Sequence, residues 1–196
     1  MTQAPLPPKS FAITDTRVVH EGWGRFVIAS IRLPDGQVIR REIEDHGAAV
    51  AVLAYDVERR VALLVSQFRA AVFLASGQEA MLEIIAGGME DETQEECVRR
   101  EAMEEGGVRL GALEPLLEAW PMPGISTERI SLYLAPYTLR DRVAQGGGLD
   151  DEHEGITVVE LPLAELAALA DSGALTDLKS YACVQALRLR RPDLFT

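Results

Sequence analysis

A chain of 196 residues is long enough for one ordinary domain with an accessory hairpin and too short for two full domains. Hydrophobic residues make up 47% of it, which excludes a disordered chain, and no uncharged run approaches the length of a membrane span. With 31 acidic against 19 basic side chains the net charge is −12, which argues against a general nucleic-acid or membrane-surface binder and leaves two reasons for the acidity, solubility or a cation site.

Met1 to Lys9 carries three prolines and no apolar core of a secretory signal, so a cytoplasmic location is expected. Beyond it, the β-rich runs 26–33 and 38–43 flank Pro34-Asp-Gly-Gln37, whose turn chemistry predicts a hairpin. The apolar runs 48–55 and 61–68 predict two strands buried on at least one face, joined by the charged turn 56–60. A short strand near 82–85 leads into Ala86-Gly87-Gly88. The acidic stretch that follows predicts a helix capped by Asp91, with Gln94 at the capping-box position, an apolar stripe of Cys97, Val98 and Ala102, and an end at Gly106-Gly107. Strands are expected at 113–120 and 130–136, then a glycine-rich acidic loop, 146–155, and a strand at 156–161. Two helices close the chain, one over 162–171 with Pro162 at the first helical position and one over 177–190 capped by Thr176. The two cysteines, Cys97 and Cys183, both fall in helical stretches, so neither a disulfide framework nor a thiolate metal centre is indicated. This order predicts an α/β or α+β domain with mixed strand pairing.

On the acidic helix, Glu101, Glu104 and Glu105 stand at i, i+3 and i+4 and share one face. Like charges so placed cost roughly 0.2–0.5 kcal/mol per pair on an isolated helix. Two readings fit: a solvated face relieved by Glu96–Arg100 and Arg100–Glu104 pairs, or oxygen ligands for a hard cation such as Mg²⁺, which needs only a few carboxylates beside substrate phosphates.

The run Arg100-Glu-Ala-Met-Glu-Glu-Gly-Gly-Val108 resembles the second half of the Nudix box, G-x5-E-x7-R-E-U-x-E-E-x-G-U with U aliphatic, and Glu92 precedes Arg100 with seven residues between them, as that pattern asks. The front departs from it, since only four residues separate Gly87 from Glu92. The resemblance implies an α/β/α sandwich with a mixed sheet. From about Arg40 to Leu187 the chain is similar to the ADP-ribose and GDP-mannose pyrophosphatase branch: Arg41-Glu-Ile43, Gln67-Phe-Arg69, Leu82-Glu83 leading to Ala86-Gly87, Pro123 to Glu128, and the acidic loop near Glu152. The shortened loop after Gly87 and the Gly146-Gly-Gly-Leu-Asp-Asp-Glu152 run lean towards GDP-mannose.

That resemblance implies a division into a β-rich N-terminal dimerisation region, residues 1–46, and a hydrolase domain, 47–196. It implies Mg²⁺, with Mn²⁺ as an alternative, held by Glu101 and Glu105, with Glu104 assisting and the main-chain carbonyl of Ala86 contributing, while Arg100 orients the glutamates by pairing with Glu92. The base is expected from the acidic loop, with Glu152 preferred, Glu154 reaching a metal, and a swap of the two left open; His153 is given no role. Arg69, Glu83 and Glu128 are expected at the substrate, although Arg69 pairing locally and Glu128 capping its loop are competing readings. Arg41 and Glu42 are expected to reach the other subunit's site through an exchanged hairpin in a homodimer. Trp23, Trp120 and Phe26 are stacking candidates for a nucleobase, with core or interface positions the commoner fate of such residues.

The expected activity is hydrolysis of a nucleoside diphosphate sugar to a nucleoside monophosphate and a sugar phosphate, with no nucleic-acid or membrane partner. A non-catalytic nucleotide-sugar sensor on the same fold is the alternative, and a general acidic cation-binding protein is a third reading. The net charge has a location: residues 83–105 hold nine carboxylates and two arginines, and residues 150–154 hold four more carboxylates.

Overall fold

The computed structural model describes residues 10–149 and 155–196. Two units divide them, one made of the chain up to Gly47 together with Trp120–Arg129, the other of Ala48–Ala119 with Ile130–Thr196.

In the first unit β1 (Ala12–Glu21), β2 (Arg25–Arg32) and β3 (Val38–Asp45) form an antiparallel sheet in that order. The expected turn between β2 and β3 closes with Gln37 N–H on Asp35 Oδ1 at 3.0 Å and Gly36 at φ +90°, a conformation that favours glycine. Segment 120–129 ties to β3 through Glu44 N–H on the Ile125 carbonyl and Thr127 N–H on the Glu44 carbonyl, both 2.8 Å. Strand β1 was not anticipated by the sequence reading.

The second unit comprises β4 (Ala48–Asp56), β5 (Val61–Gln67), α1 (Ala70–Ser76), β6 (Met81–Glu83), β7 (Ile85–Gly88), α2 (Gln94–Glu104), β8 (Glu114–Ala119), β9 (Arg129–Pro136), β10 (Thr157–Pro162), α3 (Leu163–Ser172) and α4 (Leu178–Arg190). The sheet order is β10-β5-β4-β9-β8, with β6 added to β5 and β7 to β4. Arg129 N–H meets the Gly47 carbonyl and Tyr137 N–H the Tyr55 carbonyl at one constant offset, so β9 runs parallel to β4 while the other pairs are antiparallel. The sheet is mixed, as expected.

Strand alternation sends β4 and β5 side chains to opposite faces, and both faces are buried. Leu53, Leu64, Leu132 and Leu134 pack against Leu163 and Leu166 of α3 and Val184 and Leu187 of α4. On the other face Val50, Val52, Leu63 and Val65 pack against Cys97, Val98 and Ala102 of α2. Each such buried side chain contributes about 1.5–3 kcal/mol, and together they make a helix–sheet–helix sandwich of the α+β class. At the sheet edge Glu160 of β10 accepts from both Nη atoms of Arg59 and from Tyr137 Oη, with Arg142 at 3.2 Å, and these partners, Arg59 foremost, hold its carboxyl down at about 2. No helix among the described residues is long and apolar enough to cross a membrane.

The caps correct the sequence reading. α2 is capped by Thr93, not Asp91: Thr93 Oγ1 accepts from Glu96 N–H, and Glu96 Oε2 takes Thr93 N–H at 2.9 Å, so the box partner is Glu96 rather than Gln94. Glu95 and Glu96 also place negative charge on the positive end of the helix dipole. α4 is capped by Asp177, not Thr176, since Asp177 accepts from Ser180 N–H, and Pro162 precedes α3 as its cap residue rather than entering it. α1 was not foreseen; it buries no side chain. Removing the α2 box in Thr93→Ala is expected to cost about 1 kcal/mol, read as a lower urea midpoint at unchanged slope.

Candidate active site

The end of α2 carries the acidic constellation. Arg100 spreads its guanidinium over three carboxylates: Nη2 to Glu92 Oε1 at 2.6 Å, Nη1 to Glu101 Oε1 at 2.8 Å, and Nη1 to Glu104 Oε2 at 2.9 Å. These bonds, the one to Glu92 foremost, keep the guanidinium charged well beyond its ordinary range and hold Glu92 below the usual carboxylate value. Glu96, the other anticipated partner of Arg100, is engaged in the cap instead.

Two glutamates meet the backbone of β7. Glu105 is buried and accepts from Ala86 N–H at 3.1 Å. The Glu101 carboxylate lies so close over Gly87 that a Cβ there would stand 1.8 Å from Oε1, so a side chain at this position would displace that carboxylate. Among the described residues no acidic, histidine or cysteine side chains converge into a ready-made cation cage; Arg100 gathers Glu101 and Glu104 in that role. The donors, three carboxylates beside the Ala86 main chain, still fit a hard divalent cation in kind, because Mg²⁺ takes oxygen ligands and relies on only a few from protein.

Behind them Arg69 forks onto Glu83, Nε to Oε1 at 2.7 Å and Nη2 to Oε2 at 3.0 Å. Lys179 of α4 also donates to Glu83 and stands 3.0 Å from Asp177. Burial alone would push the Glu83 carboxyl up; the Arg69 hydrogen bonds and the Lys179 charge outweigh it and leave the group below its ordinary value. Lys179 escaped the sequence reading. Its one signal was a cation in the first turn of a helix, where the dipole disfavours it.

The structure therefore brings Arg69, Glu83, Ala86, Arg100, Glu101, Glu104 and Glu105 into the second unit, clustered around β6, β7 and α2. Arg41, Glu42 and Glu128 belong to the first unit. Arg41 and Glu42 are exposed on β3 beside an open depression of about 470 Å³ that Ile28, Gly124 and Ile125 also line. Glu128 N–H donates to Ser126 Oγ at 3.1 Å. Glu152, Glu154 and His153 lie outside the described residues. Trp23 is 94% exposed with its ring 4.9 Å from that of His46, and Trp120 is 53% exposed under the Arg129 guanidinium, so neither is a core residue. Both thiols are buried, and burial pushes each up to about 12, which leaves no thiolate nucleophile among the described residues.

Glycines join the end of α2 to the acidic loop. Gly147 N–H donates to the Glu105 carbonyl at 2.8 Å and Gly148 N–H to the Glu104 carbonyl at 3.1 Å, satisfying groups that a helix end leaves orphaned. The chains approach so closely that a Cβ on Gly107 would meet the Ala144 carbonyl oxygen at 2.3 Å, and one on Gly146 the Glu105 carbonyl oxygen at 2.3 Å.

A family model described as NUDIX domain matches residues 45–182. The chain is 39% identical over 159 residues to a GDP-mannose pyrophosphatase of Cronobacter sakazakii, covering 80% of this chain and 82% of that protein. A GDP-mannose pyrophosphatase of Klebsiella pneumoniae is 34% identical over 179 residues, 88% of each chain. Among solved structures, a crystal structure of an ADP compounds hydrolase superposes with a TM-score of 0.75 over 97% of this chain and 98% of that one, at 15% identity, a likeness of fold.

Glu83→Gln leaves Arg69 and Lys179 without their shared anion and is expected to destabilise the protein by about 3 kcal/mol at neutral pH. A lowered native pKa contributes stability that is present above the unfolded value and lost as pH falls through the native one. The gap between wild type and variant in urea unfolding is therefore expected to shrink as pH drops below the ordinary glutamate range.

Proposed function

Because the chain belongs to the Nudix family and is a Nudix hydrolase, we propose that its site cleaves the diphosphate of a nucleoside diphosphate sugar, GDP-mannose ahead of ADP-ribose, to a nucleoside monophosphate and a sugar phosphate. The observation that carries the reading is the set of carboxylates organised by Arg100 and by the Ala86 N–H; the relatives named for GDP-mannose supply the substrate preference.

Hydrolysis joins a water oxygen to one phosphorus, breaks the bond from that phosphorus to the bridging oxygen, and moves a proton from water to a base. Positioning and charge stabilisation dominate such a step. In this reading Glu101 and Glu105, assisted by Glu104 and the Ala86 carbonyl, hold Mg²⁺ or Mn²⁺, which supplies neutralisation of the diphosphate and acidification of water. Arg100 orients the glutamates and does not touch substrate. Glu152 takes the proton and Glu154 supports the cation. Arg69, anchored by Glu83, faces the phosphates.

The same reading makes the N-terminal region, residues 1–46, a dimerisation region beside a hydrolase domain, 47–196. Ile13 and Val38 on the sheet β1-β2-β3, and Phe11 just before it, are all at least 60% exposed, more apolar surface than a lone three-stranded sheet leaves to water without a partner. In a homodimer Arg41, Glu42 and Glu128 serve the substrate, the first two in the other subunit's site. A cytoplasmic location suits the two unpaired cysteines.

Glu105→Gln preserves an acceptor for the Ala86 N–H and removes a charge, so it is expected to fold normally and lose at least about 100-fold in turnover. Retained wild-type activity would defeat the assignment. A product-resolved screen of GDP-mannose, ADP-ribose, ADP-glucose and dinucleoside polyphosphates with Mg²⁺ and Mn²⁺ is expected to favour GDP-mannose; binding without phosphate-ester products would make the protein a sensor. Light scattering is expected to give a dimer, and a fully active monomer is incompatible with Arg41 and Glu42 acting across an interface.

A further inference from the structure

Gln67 ends β5 with an amide that the fold leaves unserved. The residue is only 5% exposed, yet its Nε2 has no hydrogen-bond partner among the described residues. A buried donor left unmade is destabilising, and such a group calls for a physical reason.

Its position supplies one. Leu63 and Val65 precede it on the same strand face and pack with Cys97, Val98 and Ala102 of α2, so the Gln67 side chain lies on the α2 side of the sheet. There the sheet opens into a fork. β5 pairs with β4 through Leu63, after which β6 takes up its pairing, Val65 opposite Glu83 and Gln67 opposite Met81, while β7 takes up that of β4, Ala51 opposite Ala86. Glu105 binds the Ala86 N–H on one limb of the fork. Gln67 stands on the other limb, two residues before Arg69, whose guanidinium grips Glu83.

We propose that Gln67 is a substrate-binding residue whose Nε2 donates to a phosphate oxygen of the diphosphate lodged in this fork; this rests on the reading of the site as a diphosphate hydrolase. A neutral donor suits this position, between carboxylates that hold the cation and an arginine already committed to Glu83. The cost of the unmade bond falls on the free protein and is relieved on binding, which makes the ligand's oxygen the partner the fold withholds.

The test replaces Gln67 by methionine, which keeps length and apolar body and removes both polar atoms. Inorganic pyrophosphate with Mg²⁺ is the probe, so the result does not depend on nucleoside or sugar. The free Gln67→Met protein is expected to melt at or above the wild-type temperature while its pyrophosphate affinity by calorimetry falls about tenfold or more. Unchanged pyrophosphate affinity, or a wild type that does not bind pyrophosphate, overturns the proposal. If Gln67→Met folds poorly, Gln67→Glu decides, since it keeps the shape and replaces the donor by an acceptor; wild-type affinity there also overturns it. Loss of pyrophosphate binding in the variant, with GDP-mannose left intact by wild type, removes the proposed substrate and leaves the Gln67 assignment standing.

Discussion

The site depends on one cation of the protein's own. Three glutamates within a single helical turn repel one another, and a helix carrying only them would fray or rotate its side chains towards water. Arg100 relieves two of the three, because a planar fork of donors satisfies Glu101 and Glu104 together with Glu92, while Glu105 turns to the Ala86 N–H. Lysine, a point charge on a flexible stem, does not reproduce that geometry. The acidity of the protein is thus tolerable in its most crowded place because an internal counter-ion precedes any external one.

The rest of the fold holds that helix against the sheet. Thr93 and Glu96 secure its start, Cys97, Val98 and Ala102 bury one stripe against β4 and β5, and its end meets a glycine run. Glu105 shows how fold and chemistry are joined. Its side chain reaches back to Ala86 N–H, a bond to the strand that carries a main-chain donor of the proposed cation site, so the position of one ligand depends on the position of another. On the opposite face α3 and α4 seal the sheet, and α4 also delivers Lys179 to Glu83.

Local pattern made much of this legible. Arg100, Glu101, Glu104 and Glu105 lie within six residues, so helical spacing alone puts them together, and the strands of the sandwich announce themselves as apolar runs. Cap choice was harder: Asp91 and Thr93 are both good caps, and the box partner follows from the cap, Gln94 from Asp91 or Glu96 from Thr93. What could not be read was non-local or weakly patterned. Arg69 and Glu83 are on different strands, and their mutual grip follows from strand pairing. β1 is exposed along almost its whole length and mixes polar residues with Ile13, Val18 and Val19, α1 has no buried face, and 120–129 is hydrogen-bonded to β3 of the N-terminal sheet. The acidic residues 150–154 lie outside the described residues, so their roles rest on the sequence.

The glycines at 107 and 146–148 have a consequence for how such a loop changes. One end of the 149–155 segment springs from amides hydrogen-bonded to the carbonyls of Glu104 and Glu105, and the other enters β10, paired residue by residue with β5. Both attachments are made by backbone, and at Gly107 and Gly146 contact is too close for any side chain. Insertions or deletions between these posts would leave the points of departure and return where they are. The length of chain between the posts is thereby separated from helix geometry, so it can drift without disturbing the glutamates of α2.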